Sequence, residues 1–400
     1  MRLGRPAAAV TTVAMVVLLT PAPAQARLAP CDQTPATGQV NRKLPYEDQL
    51  YDLPRLAPVA TGAGVRVAVI DSGVDSRHPQ LDGRVEDGRD LLHGDSDARQ
   101  DCVGHGTAVA SIIAARQADG IPFHGLAPDA TIVPVRITEK ETIDGKEVGQ
   151  DGSPAEFAEA ITWAASKTGG NAQVINLSVV MTQDNAQVRR AVQQAVADGV
   201  VIVAAAGNQG NTSDANPTPY PAAYSGVIGV GAVGPTGTRA DFSQHGPYVD
   251  IVATGDAVTV ATPGSGHTTQ KGTSFATPFV AATAALILQR QPRLTPAQVQ
   301  RRIIATADPA PGGNHSDEYG FGLLNPYRAV TETLGPERRP SPAAAPDNRD
   351  DPATVALQTR RAASQQKALI FGLIGLGAVL LVTLAGIVIR RGRRRGWHPA

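Results

Sequence analysis

Five stretches of the chain are almost wholly apolar: VRVAVI at 65–70, ATIVPVRI at 130–137, AQVINLSV at 172–179, GVVIVAAAG at 199–207 and GVIGVGAV at 226–233. They are short and rich in valine and isoleucine, as strands buried on both faces of a parallel sheet are. Between them lie HGTAVASIIAARQ, PAEFAEAITWAASK and NAQVRRAVQQAVADG, whose apolar residues recur at helical spacing. Strand and helix in alternation predict an α/β fold, a doubly wound parallel sheet flanked by helices. In such sheets reactive groups collect at the carboxyl ends of strands and at helix N-termini. One more apolar run, FVAATAALIL at 279–288, follows directly on GTSFATP at 272–278.

The ends of the chain follow different patterns. Arg2 and Arg5 precede an apolar run from Ala7 to Leu19 and an A-x-A site at Ala24 and Ala26. This predicts a secretory signal peptide over 1–26, the run being short of the ~20 residues that a membrane-spanning helix needs. Residues 368–389, ALIFGLIGLGAVLLVTLAGIVI, are long and apolar enough to span a bilayer. Five arginines follow within 390–395 and put a basic tail, 390–400, in the cytoplasm. Beside such a helix, binding to nucleic acid is a poor account of them. Residues 336–367 are rich in Pro, Ala and charge and form a linker without a core. The expected topology is single-pass in the plasma membrane, with everything between the signal and the linker outside. About 300 residues then remain, enough for one large domain over 61–335.

Composition adds little beyond this. The 36 basic and 36 acidic residues balance, so no nucleic acid or acidic partner is implied. No Gly-rich phosphate loop, CxxC pair or HExxH metal signature occurs, and no metal or cofactor is expected. In an exported domain the two cysteines, Cys31 and Cys102, are expected to form one disulfide.

Four residues could carry chemistry, and each alone has an ordinary structural explanation. Asp71 follows the first strand, where turn aspartates are common. His105 opens a helix in GHGT and could simply cap it, although Gly104 and Gly106 leave room for other chain to come close. Asn208 ends AAAGN after a strand. Ser274 begins a helix, where serine is a favoured cap, but where free N–H groups also attract developing negative charge. Taken together they supply a hydroxyl, a base, a carboxylate to orient the base and an oxyanion donor, which is what acyl transfer requires.

DSGVD, GHGT, AAAGN and GTSFATP, in that order, resemble the subtilisin-like serine proteases, and the likeness extends over about residues 60 to 335 with HPQLDGRV, GLAPDATIVPVRI, LTPAQVQRRI and YGFGLLNP. The resemblance implies that Asp71 is the acid, His105 the base, Ser274 the nucleophile and Asn208 the side-chain oxyanion donor, with the Ser274 N–H as the second donor. Pro278, inside the helix after Ser274, stands where the family also carries proline. Two departures stand out: INLSVV lacks a glycine that many relatives carry beside the substrate backbone, and Thr277 replaces a common alanine.

The signal, the cysteine-bearing extension over 27–60, the protease domain, the linker, the apolar helix and the basic tail together are similar to the mycosins. These are membrane-anchored proteases of actinobacterial type VII secretion systems. QDCVGHGTAVASIIAA, with its cysteine three residues before the histidine, is the most similar stretch; the second cysteine pair of many mycosins is missing. The resemblance implies polypeptide substrates, the bilayer and type VII channel proteins as partners. A general anchored protease for processing or nutrition, or a mainly structural component of a secretion complex, would show the same residues. Residues 27–60 are too few and too polar to form a prodomain core of their own. A bridge from Cys31 to Cys102 would make them a permanent belt on the domain.

Overall fold

The computed structural model describes residues 37–335 apart from 95–96, 144–145, 212–215, 312 and 314. The expected signal peptide, Cys31, the linker over 336–367, the apolar helix over 368–389 and the basic tail lie outside these residues. Among the described residues no helix is long and apolar enough to cross a membrane.

The chain starts with two short helices, α1 (Tyr46–Leu50) and α2 (Leu53–Leu56). The first half of the domain then runs β1 (Arg66–Asp71), β2 (Arg89–Asp90), α3 (His105–Ala114), β3 (Thr131–Arg136), β4 (Glu141–Ile143), β5 (Lys146–Val148) and α4 (Pro154–Ala165). Next come β6 (Val174–Leu177), α5 (Ala186–Ala197), β7 (Val201–Ala205), β8 (Val227–Val233) and β9 (Ile251–Thr254). The domain ends with β10 (Val258–Ala261), β11 (His267–Gln270), α6 (Thr273–Arg290), α7 (Pro296–Ala305) and α8 (Pro326–Thr331).

Seven strands form one parallel sheet in the order β2-β3-β1-β6-β7-β8-β9. The five apolar runs are five adjacent strands of it. Two antiparallel pairs, β4–β5 and β10–β11, stand apart. Side chains of a strand alternate between faces, and both faces here are covered. Val67 and Val69 of β1 pack in the cluster that holds α3 and α6, while Ala68 and Ile70 pack in the cluster that holds α4 and α5.

The helix starts follow from local sequence. Ser153 and Glu156 form a reciprocal capping box on α4, and Thr295 and Gln298 do the same on α7, each with proline at the first helical position. Asn185 caps α5 by accepting from the Gln187 and Val188 N–H groups. α3 and α6 are not amphipathic: α3 is buried from Gly106 to Ala114, and in α6 every residue from Thr273 to Leu288 is buried. A helix apolar on all sides belongs inside a domain, and α6 lies in the core between the sheet and its neighbouring helices.

After β1 the chain builds β2 and β3 on one side, then crosses to β6 on the other. The carboxyl end of β1 is therefore a switch point of the sheet, where a crevice opens. Asp71 closes β1 at that point.

The segment before the domain is tied down along its length. Gly38 N–H donates to the Ser265 carbonyl at 3.0 Å, His267 N–H to the Gln39 carbonyl at 3.0 Å, and Asn41 N–H to His267 Nδ1 at 3.0 Å. Tyr46 donates to the Asp256 carbonyl, Glu47 accepts from the Thr259 N–H at 2.7 Å, and Tyr51 accepts from the Thr254 N–H at 3.1 Å. All these partners fall within 254–267, the stretch that leads to α6. The segment buries Tyr51, Leu53 and Leu56 against the domain, in keeping with its lack of a core of its own.

Candidate active site

Asp71 is fully buried, and its Oδ1 accepts from the Ser72 N–H and from His105 Nδ1, both at 2.7 Å. A carboxylate only accepts, so the imidazole carries its proton on Nδ1 and leaves Nε2 as a base. The His105 side chain is 31% exposed and so remains accessible. Burial works against its charged form, yet the Asp71 charge and hydrogen bond, with a smaller contribution from Asp101, outweigh it and hold His105 above the ordinary histidine value.

Glycines allow this contact. A side chain at Gly106 would place its Cβ 2.1 Å from the Gly73 carbonyl oxygen, so only glycine lets α3 start against the end of β1. Gly104 has φ of 90°, which also favours glycine.

Ser274 lies buried in the first turn of α6; the ring of the next residue, Phe275, has its centroid 5.2 Å from that of His105. In this resting arrangement the Ser274 hydroxyl donates to the Ser178 carbonyl at 3.1 Å, and transfer of its proton to His105 requires it to turn. The Ser178 hydroxyl in turn donates to the Ser274 carbonyl at 2.8 Å and accepts from Asn176 Nδ2 at 3.0 Å.

Asn208 follows Gly207 at the end of β7. Its Oδ1 accepts from the Thr273 N–H at 2.8 Å and the Thr273 hydroxyl at 2.9 Å, which fixes the plane of the amide. Among the described residues Asn208 Nδ2 and the Ser274 N–H donate to nothing, leaving two donors for an oxyanion. Gly272, with φ of 151°, stands between them: a Cβ there would lie 3.3 Å from Asn208 Nδ2.

The structure thus brings Asp71, His105, Asn208 and Ser274 to one rim of the sheet. Cys102 is half-buried three residues before His105, and among the described residues no cysteine is free. Sequence reasoning missed Asp101, Ser72, Asn176 and Ser178, which hold the site from behind. The Asp-x-x-Gly spacing of Asp101 and Gly104 ahead of His105 was the signal for Asp101; Asn176 and Ser178 gave none.

The chain matches the model of the subtilase family over residues 62–322. It is 38% identical over 270 residues to Subtilisin E of Bacillus subtilis, a match covering 68% of this chain and 66% of that protein. The chain thus spans slightly less than two thirds of that relative. It is 35% identical over 371 residues to Mycosin-1 of Mycobacterium tuberculosis, covering 82% of this chain and 81% of that one. The solved structure of the serine protease MycP1, an essential component of the type VII (ESX-1) secretion system, superposes with a TM-score of 0.63 at 34% identity, over 75% of this chain and 93% of that one. With its parallel sheet, its site geometry and a family match over most of the domain, the chain belongs to the subtilase family of serine endopeptidases and resembles the mycosins within it.

Proposed function

We propose that the chain hydrolyses peptide bonds of polypeptide substrates with Ser274 as nucleophile, His105 as general base and Asp71 as the carboxylate that orients His105. His105 Nε2 takes the Ser274 proton as the hydroxyl attacks the carbonyl carbon, and Asp71 stabilises the imidazolium that forms. Asn208 Nδ2 and the Ser274 N–H, at the N-terminus of α6, stabilise the oxyanion. The imidazolium then protonates the leaving amine, and water releases the acyl group by the same steps in reverse. The observation that carries this reading is the 2.7 Å bond from His105 Nδ1 to buried Asp71, on the same rim as the clamped Asn208 amide. Labelling with a fluorophosphonate tests it: the wild type is expected to react and Ser274→Ala not to, and equal labelling of both overturns it.

The same proposal includes the setting. The protein is anchored in the plasma membrane by residues 368–389, with the catalytic domain outside, and serves a type VII secretion system as a mycosin. The apolar pattern of that stretch and the likeness to Mycosin-1 over 82% of the chain support this. Co-purification from membranes with secretion-channel proteins tests it, and a protein that purifies free of them is a general anchored protease instead. Cys31 pairs with Cys102, in keeping with the two cysteines of the chain and the absence of a free one among the described residues. Mass spectrometry of the non-reduced protein is expected to show the linked peptides.

A further inference from the structure

Behind the base lies a second carboxylate with no assigned role. Asp101 is 4% exposed and takes five hydrogen bonds. Its Oδ1 accepts from the Ser72 hydroxyl at 3.0 Å, the Val103 N–H at 3.1 Å and the Gly104 N–H at 2.7 Å. Its Oδ2 accepts from the Thr107 N–H at 2.8 Å and the Thr107 hydroxyl at 2.6 Å. The two hydroxyls already accept elsewhere: Ser72 from the Gly106 N–H at 2.9 Å, Thr107 from the Asp75 N–H at 2.9 Å. Both therefore donate to Asp101, and all five partners fit the ionised carboxylate. The bonds enclose His105 on both sides in sequence, from Val103 to Thr107. Through Ser72, which follows Asp71, they also reach the end of β1.

The charged groups around Asp101 are few. Asp71 lies at the end of β1 and His105 at the start of α3. Arg136 of β3 reaches the Ser72 and Gln100 carbonyls but pairs with Asp90. Among the described residues no cation forms an ion pair with Asp101, so its charge acts on His105 without a local counter-ion. Burial raises the Asp101 pKa, the bonds from Thr107 and Gly104 oppose this, and the Asp71 charge adds to the rise.

We propose that Asp101 is a positioning residue for the base: it locks the turn from Val103 to Thr107 onto the end of β1, sets the direction from which His105 meets Asp71, and adds a second negative charge that favours the imidazolium. The inference rests on His105 being the general base. It assigns the Asp101 turn a part in the reaction beyond holding the fold.

Asp101→Asn keeps the shape, removes the charge and turns a donor toward either the Oδ1 or the Oδ2 partners. It is expected to lower kcat by about 10- to 100-fold with KM within about twofold, the loss that a misdirected catalytic group causes. The acid limb of kcat/KM is expected to move to lower pH by about half a unit, because a charge favouring the imidazolium is gone. A purely structural role would leave that limb in place, so an unmoved limb overturns the proposal. Should Asp101→Asn fail to fold, Thr107→Val removes the hydroxyl's bond to Asp101, with the one it accepts from the Asp75 N–H, and keeps the charge. It is expected to lower kcat several-fold at unchanged KM with the acid limb in place, and an unchanged kcat overturns the positioning role. His105→Ala separates the two levels: an active His105→Ala sinks the reading of the base itself, whereas an inactive one beside an unmoved limb in Asp101→Asn sinks this inference alone.

Discussion

The Ser178 hydroxyl donates to the Ser274 carbonyl at the place in α6 where the helix cannot provide a donor of its own. The N–H that would bond to that carbonyl belongs to residue 278, which is proline. A side chain from the end of β6 thus replaces the missing helical bond, and in doing so joins the turn that carries Ser274 to the central sheet.

Ser178→Ala would leave the buried Ser274 carbonyl unpaired. The expected cost is about 1–3 kcal/mol of stability, the usual penalty for orphaning a buried polar group. Thermal unfolding checks it, and kcat is expected to fall as well, because the same turn carries Ser274, the proposed nucleophile. A melting temperature equal to that of the wild type would mean that the bond contributes nothing.

Asn208→Ala removes one donor of the proposed oxyanion site, together with the two bonds its amide accepts from Thr273. A decrease of about 10² to 10³ in kcat with KM nearly constant is expected, since the donor acts on charge that develops only in the transition state. If KM carries the change instead, Asn208 binds substrate in its ground state.

The acid limb of kcat/KM is expected above the ordinary histidine value, near 6.5. A raised pKa keeps His105 protonated, and so unable to act as base, to a higher pH; activity therefore falls as pH drops through that raised value. Asp71→Asn removes the largest of the contributions that raise it and is expected to lower the limb in whatever activity remains. A limb at or below 6.5 in the wild type contradicts the geometry.

The amino-terminal segment is expected to respond to pH in two opposed ways. Burial raises Glu47 to about 7 and Asp48 to about 8. Such acids bind protons in the folded state that they have already lost in the unfolded one. Stability is thus highest at acidic pH in this respect and is lost as pH rises through about 7 and 8. Glu47→Gln with Asp48→Asn is expected to raise the melting temperature relative to the wild type, increasingly so from pH 6 to 9. Burial, with the nearby His78, lowers His267 to about 4, so its contribution is present above its unfolded value near 6.5 and fades as pH falls toward 4. Melting curves across both ranges check the two signs separately.

The apolar runs were legible because strands buried on both faces need unbroken valine and isoleucine; all five appear in the sheet within two residues of their expected ends. Asp71, His105, Asn208 and Ser274 stood out because each sits at a strand end or helix start with a glycine within two residues. Short elements did not. The two residues of β2 have no period to read, and α1 contains the buried carboxylates Glu47 and Asp48, which look like surface residues in a sequence. Ser178 acts through the Ser274 carbonyl, 96 positions along the chain, a relation that spacing does not reveal.

The bonds between residues 38–51 and 254–267 join positions more than 200 apart. Closing loops of this length costs chain entropy before the contacts repay it. Residues 38–51 therefore have these partners only once residues 254–267 have been made and brought to them, on the stretch that leads to Ser274. The amino-terminal segment thus acts as a clasp that can shut only on a chain made at least as far as the strand pair before α6, so the same closure that holds the beginning of the domain also steadies the approach to Ser274.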